Sequence, residues 1–413
     1  MAKWYLFFQN DFSYICRILK FSNMIKKIFL AFIFSLVLIN IFAQSKYSTT
    51  GANIVFTNVP FLTIAPDSRG GAMGDLGAAT SPDVNSMHWN AAKYAFIDED
   101  LGASISYSPW LKGIANDIKL MYLSGFLRLD KQQVVAGAIR FFNLGQIVFT
   151  DLYAQPTGEK IPTEFTVEGA YSRLFSEKFS GAIAFRFIRS DLSSGAQQTD
   201  ASLPTRAGIS FAADVSIYYH KPVQISSMPG EWAFGVNISN IGTKMSYADD
   251  QPKNFIPTNL KIGGSISMNL DAYNKFTFSS DFNKLLVPTP PIDSAGVILK
   301  GMSSDVSVAQ GMIQSFYDAP GGLTEELQEI TISVGAEYWY REQFALRAGY
   351  FNESANKGNR KYFTLGLGLK MNVLTIDFSY LLPTAYQNNP LANTMRLTAS
   401  FNIGKPKKQE NKK

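Results

Sequence analysis

The side chains able to serve as nucleophile, general base or soft metal ligand are few: one cysteine, Cys16, and two histidines, His88 and His220, in 413 residues. A hydrolytic site needs a base within hydrogen-bond reach of a nucleophile. His88 stands beside Trp89 in a stretch rich in glycine and alanine, and His220 precedes Lys221-Pro222; neither adjoins a Gly-x-Ser-x-Gly elbow. Two isolated histidines offer no ligand cluster for a metal ion. The stretch Pro66-Asp67-Ser68-Arg69-Gly70-Gly71-Ala72-Met73-Gly74-Asp75-Leu76-Gly77 has the glycines of a phosphate cradle, but no Gly-Lys-Ser/Thr follows and no strand–helix alternation surrounds it. The expectation is a protein that binds rather than catalyses, without cofactor or metal, in which His88 hydrogen-bonds within its own segment. A lipid A-modifying hydrolase using His88 as its base is the catalytic alternative.

Composition narrows the class. Charged residues make up 17% of the chain, against about a quarter in soluble domains, and aromatic residues reach 14%. This argues against disorder, a disulfide scaffold, collagen and a nucleic-acid binder. From Met24 the chain reads Met-Ile-Lys-Lys, then the apolar run Ile28 to Ile39, then Ile41-Phe42-Ala43 before Gln44. That is the pattern of a secretory signal peptide, and it falls short of the about 20 apolar residues of a membrane helix. The expectation is that residues 1–43 are an extension plus signal peptide, with translation starting at Met24 and cleavage near Ala43. Cys16 leaves with them. Their loss takes the 38 Lys/Arg and 33 Asp/Glu of the whole chain to 33 and 32, so the mature protein is near neutral.

From residue 101 onward, alternation with period two dominates. In 394–403, Met395, Leu397, Ala399, Phe401 and Ile403 share one face, opposed to Thr394, Arg396, Thr398, Ser400 and Asn402. Similar runs predict fourteen strands: 101–109, 117–129, 133–143, 163–174, 179–190, 205–220, 231–240, 258–270, 274–282, 330–341, 344–352, 361–371, 373–382 and 393–403. Most have nine residues or more, the length of a tilted membrane strand rather than the five or six usual in globular sheets. Tight links (130–132, 175–178, 271–273, 342–343, 372) alternate with longer ones (144–162, 191–204, 241–257, 283–329, 353–360, 383–392). Link 221–230 reads as a longer member of the tight set, and 110–116 as a short member of the other. Short turns on one side, long loops on the other and an even strand count are the pattern of an outer-membrane β-barrel. The fold class is therefore all-β: a 14-stranded antiparallel transmembrane barrel spanning 101–404, termini periplasmic, long loops extracellular. The aromatic pairs Tyr107/Trp110, Tyr218/Tyr219, Trp339/Tyr340, Tyr350/Phe351 and Tyr362/Phe363 fit interfacial girdles.

With the apolar face toward lipid, the other face lines the lumen. It carries Lys119, Arg140, Arg186, Lys261, Arg347 and Arg396 against Glu168, Asp214, Asp281, Glu337 and Asp377. A selective pore tends to show one sign of charge; near balance predicts paired charges in a plugged barrel. Residues 44–100 lie outside the strand pattern and are long enough to form that plug as an N-terminal hatch. Loop 283–329 is too long to be a plain connection. It carries Met312, Ile313, Phe316 and Tyr317 at helical spacing, plus Leu323, as a partner- or cargo-binding surface or a lid. Pro288, Pro290 and Pro291 stiffen its start. The lysine-rich tail 405–413 reads as a solvated periplasmic segment.

The runs Phe61 to Gly74, Ser81-Pro82-Asp83-Val84-Asn85-Ser86 and His88-Trp89-Asn90-Ala91-Ala92-Lys93-Tyr94, with Gln314 to Gly322 and Glu325-Glu326-Leu327, resemble the PorV family. That family is the outer-membrane component of the type IX secretion system of Bacteroidota, related in fold to FadL-type transporters. The resemblance implies a hatch built on Pro66, Asp67, Arg69, Gly70, Gly71, Gly74, Trp89 and Asn90. It also implies a non-enzymatic shuttle for cargo bearing a C-terminal secretion signal, taken from the translocon barrel to a sortase-like attachment complex that joins it to lipopolysaccharide. The rival expectation is a FadL-like transporter of hydrophobic compounds. One position departs from the family: Ala91 stands where proline is usual.

Overall fold

The computed structural model describes residues 52–111, 117–150, 153–192, 206–225, 227–248, 251–384 and 394–404. The expected signal peptide and the lysine-rich tail lie outside them.

Fourteen strands close into one antiparallel barrel: β1 Leu101–Pro109, β2 Lys119–Arg128, β3 Gln133–Asn143, β4 Thr163–Ser176, β5 Phe179–Asp191, β6 Gly208–Ile225, β7 Met228–Gly242, β8 Asn259–Asn269, β9 Asn274–Leu285, β10 Thr331–Tyr340, β11 Phe344–Asn352, β12 Lys361–Met371, β13 Leu374–Pro383 and β14 Met395–Ile403. Each pairs with its chain neighbours, and β1 closes on β14 with Leu101 opposite Ile403. Closure leaves no unpaired sheet edge. All fourteen are the strands the period-two pattern predicts.

Face assignment follows the pleat. In β1 Ser104, Ser106 and Ser108 are buried while Leu101, Ile105 and Tyr107 are exposed, an exterior suited to hydrocarbon. Two tight links are built alike: Asp130 accepts from the Gln132 and Gln133 amides, and Asp271 from those of Tyr273 and Asn274, the Asx turn that presets a short hairpin.

Three expectations are corrected. Lys119 does not face the lumen. In β2 the inward residues are Leu120, Tyr122, Ser124 and Phe126, and Lys119 shares the outward set with Met121 and Leu123. Because β2 is apolar on both faces, polarity could not fix its parity. The aromatic pairs do not all lie in girdles: Trp110, Tyr218, Phe351 and Tyr362 are buried while Tyr107, Tyr340 and Phe363 face outward. Adjacent strand residues point to opposite faces, so one member of each consecutive pair turns inward. Link 221–230 is strand rather than loop, since β6 and β7 run on with Pro222 opposite Glu231 and Pro229 opposite Gln224. Beyond Tyr219, β6 has lost its β5 partner, and proline is tolerated on such an edge.

Residues 52–100 pack against the inward faces through 3₁₀ segments Pro60–Thr63 and Ala91–Phe96 and short helices α1 Ser68–Ala72 and α2 Ser86–Trp89. Phe61 and Leu62 join Leu120, Phe142, Ile188 and Ile256 in one apolar cluster. Val84, Met87 and Tyr94 join Tyr122, Phe126 and Tyr218 in another. Each fully buried side chain of this size contributes about 1.5–3 kcal/mol.

Candidate functional site

The inner segment is organised around Trp89. Its indole Nε1 donates to Asp67 Oδ1 at 2.7 Å, while Asp67 Oδ2 accepts from the Gly70 amide at 2.9 Å, capping α1. One buried carboxylate thus satisfies two orphan donors. A Cβ at Gly70 or Gly77 would overlap the indole, so these glycines make the slot that holds the ring. Asn90 donates to the Ala78 and Ile217 carbonyls, both at 2.9 Å, and accepts from the Ala92 amide, capping Ala91–Phe96. Ala91 opens that 3₁₀ helix, a position where proline also fits, which accounts for the departure from the family pattern.

Arg69 joins the segment to the wall. Its guanidinium donates to both Glu337 oxygens, at 3.0 and 2.8 Å, to Asp83 at 2.8 Å, and to the Ser81 carbonyl and hydroxyl. Glu337 also accepts from Arg347 at 2.7 Å, and Arg347 reaches Asp377 at 2.6 Å. Arg140 donates to the Phe61 and Leu62 carbonyls at 3.1 and 3.0 Å. Arg396 donates to the buried Ala65 carbonyl, next to Pro66, at 3.1 Å, and its side chain fills the space over Gly71. Arg186 lies between Glu168 and Asp214. Asp281 accepts from the Gly77 and Ala78 amides at 2.7 and 2.9 Å. Of the lumen charges predicted from the alternating faces, all but Lys119 are thus used in place or, for Lys261, set against the Trp89 ring at 4.3 Å.

Where the segment meets the wall most closely, both sides lack side chains. Gly74, at φ +82°, stacks on the Tyr350 backbone; Gly335 and Gly349, opposite one another, receive Met73 and Gly74. Gly235 and Gly263, also paired, receive Ala78. Period-two reading passed over these glycines, although an inward glycine in a strand is itself a signal of close backbone approach.

The long loop is built rather than floppy. Helices α3 Val308–Gln314 and α4 Leu323–Gln328 fold back on the barrel rim. Gly311 seats α3 on Phe255 and Pro288. Lys284 at the end of β9 pairs with Glu326 and Glu329, and Lys357 between β11 and β12 pairs with Glu325 and Glu329. Asp318 accepts from the Thr289 amide and Gln314, and burial pushes its carboxyl up to about 6. Against the cost of burial, hydrogen bonds from Lys357 and the Gly321 amide hold Glu325 below the usual carboxylate range. Of the apolar residues singled out in the loop, Met312 is half-buried, while Ile313, Phe316, Tyr317 and Leu323 are 65%, 49%, 61% and 74% exposed. Sequence reasoning missed a hairpin, Ile292–Ser294 with Val297–Lys300, whose Val297, Ile298 and Leu299 are exposed. Ala295-Gly296, both at positive φ, was the available turn signal.

His88 does not adjoin a nucleophile. Arg140 Nη2 lies 2.7 Å from its Nδ1, and its ring stands edge-on to Trp89 at 4.6 Å. His220 sits 3.1 Å from Glu231. Among the described residues no group of three or more His, Cys, Asp or Glu could hold a metal ion.

Residues 47–292 match the family model described as type IX secretion system protein PorV. No curated protein matches the sequence. Similar solved structures include the toluene transporter TbuX of Ralstonia pickettii, with TM-score 0.42 and 10% identity over 83% of this chain and 99% of that one. A Pseudomonas aeruginosa FadL homologue gives 0.40 and 10% over 86% and 100%. BamA from Haemophilus ducreyi, lacking POTRA domains 1–3, gives 0.34 and 8% over 81% and 76%.

Proposed function

This chain belongs to the PorV family, an outer-membrane component of type IX secretion, and from that premise we propose that it is a non-enzymatic shuttle. It takes cargo carrying a C-terminal secretion signal from the translocon barrel and delivers it to a sortase-like complex at the cell surface. In this reading the tight turns face the periplasm, the long loops face outward, and residues 52–100 plug the lumen. The observation that carries it is the long loop. Four large apolar side chains, Ile313, Phe316, Tyr317 and Leu323, stay in solvent on a scaffold pinned to the rim by two lysines and three glutamates. Exposed apolar side chains on a loop fixed this firmly to the rim suit a protein partner. The ion-pair chain Asp83–Arg69–Glu337–Arg347–Asp377 favours a static plug over the mobile hatch a transporter of hydrophobic compounds would need.

The test is an affinity pull-down from detergent-solubilised outer membranes with a tagged copy, repeated without residues 300–325. Recovery of a large translocon barrel, a surface attachment protein and signal-bearing cargo, lost in the deletion, is the expected result. A partnerless barrel carrying bound lipid or fatty acid would overturn the shuttle in favour of transport.

A further inference from the structure

Glu164 is the second residue of β4, opposite Ser190 and level with the rim pair Arg189–Asp191. It is 3% exposed. Its Oε1 accepts from the Ser190 hydroxyl at 2.6 Å, and among the described residues no ion pair or further hydrogen bond reaches the carboxyl. Phe142 stands opposite it on β3, within the apolar cluster that also holds Phe61, Ile188 and Met245.

The charged groups on the elements around it are engaged elsewhere. Arg140 on β3 bonds the Phe61 and Leu62 carbonyls and His88. Lys160 and Arg189 both meet Asp191, and Glu168, further along β4, meets Arg186. Residues 52–66 of the inner segment carry no charge. Arg206 and Lys253 are exposed, and Lys244 lies over Phe255 and reaches Asp305. From the described part of link 243–258 one titratable group comes to the site: the Tyr247 hydroxyl, 2.9 Å from Ser190 Oγ.

A carboxylate buried in apolar surroundings without a cation is costly, so the closed structure favours the neutral acid. Ser190 has one proton and gives it to Glu164, so the Tyr247 hydroxyl donates to Ser190. The chain Tyr247–Ser190–Glu164 thus fastens the link to the wall. That link carries part of the long loop. Met245 and Asn254 bond to one another in both directions, and Gly311 seats α3 on the adjoining Phe255.

We propose that Glu164 is a proton-operated latch at the long-loop end of the barrel. As the neutral acid it stays buried and link 243–258 lies closed on the wall. Ionised, it takes up water, the chain through Ser190 and Tyr247 gives way, and the floor beneath α3 loosens. The closed form holds one proton more than the open form, so closure strengthens as pH falls and weakens as pH rises through the titration of the buried acid. The latch stands independently of the shuttle reading, because its test needs no partner protein.

The experiment is hydrogen–deuterium exchange of the folded barrel in detergent at pH 5.5 and pH 8, read by mass spectrometry as protection factors with the intrinsic pH dependence divided out. Peptides within 243–258 are expected to lose at least tenfold in protection at pH 8. Glu164→Gln, neutral at both, should keep the pH 5.5 level throughout. Tyr247→Phe, which cuts the chain, should show low protection at both, and Asp318→Asn should leave the response of 243–258 in place. A flat profile in the unaltered protein, or an undiminished response in Glu164→Gln, overturns the proposal. Folding of each variant is checked by heat-modifiable gel mobility. Should Glu164→Gln fail to fold, Tyr247→Phe decides: loss of the pH response supports the latch and its retention overturns it.

Discussion

Replacing Arg69 with methionine should loosen the inner segment while leaving the barrel standing. The guanidinium, 12% exposed, makes five hydrogen bonds, two of them to Glu337 and one to Asp83. Removing one partner of a buried ion pair costs about 3–5 kcal/mol. Glu337 keeps Arg347 at 2.7 Å, so the lower end applies, about 3 kcal/mol. At 1.4 kcal/mol per decade that is roughly a 150-fold rise in local opening. Hydrogen–deuterium exchange read by mass spectrometry should show it in peptides covering residues 68–86 and hardly at all in β1 or β14. Adding Glu337→Gln should cost less than the two single changes summed, because the two residues share one interaction. Unchanged exchange in 68–86, or equal acceleration in every strand, would refute the idea that Arg69 ties the segment to the wall.

Gly74→Ala places a Cβ 2.7 Å from the Tyr350 carbonyl oxygen at φ +82°; it should cost more than about 2 kcal/mol and lower the midpoint of the heat-modifiable gel shift. Ala91→Pro, at the first position of its 3₁₀ helix, should raise that midpoint, stabilising by about 0.4–1 kcal/mol, and a fall would contradict the placement. Changing Phe316 and Tyr317 together to serine should leave folding intact and cut recovery of partners about tenfold or more, as loss of interface anchors does. Asp318, raised to about 6, stabilises its loop most when protonated, so amide protection factors in residues 303–320, with the intrinsic pH dependence of exchange divided out, should rise as pH falls from 7 to 5. Glu325 is held low, so its contribution is lost only at more acid pH, where the protection factors should fall again; Asp318→Asn should remove the first effect alone.

Strand number and placement were legible because a barrel wall between lipid and a polar interior enforces a strict two-residue period. Where the interior is itself apolar the period loses its sign, which is why β2 and Lys119 were misread. The paired aromatics failed for a related reason: their type suggested an interface, while the pleat sends Tyr218 and Phe351 inward. Asp67, Arg69, Trp89 and Asn90 could be singled out by family motif, but the wall partners Glu337 and Ile217 are set by three-dimensional closure. Glu337 lies 268 positions from Arg69, beyond any local pattern.

The hydrogen bond from the Ser68 amide to Thr398 on β14 joins residues 330 positions apart, and Arg396 on the same strand holds Ala65 and Asp75. The segment synthesised before any strand thus acquires its last partners from the final strand, the one that also closes on β1. The strand that seals the cylinder is therefore also one that holds its contents. A barrel closed without the inner segment would leave Arg396 and Thr398 without these partners.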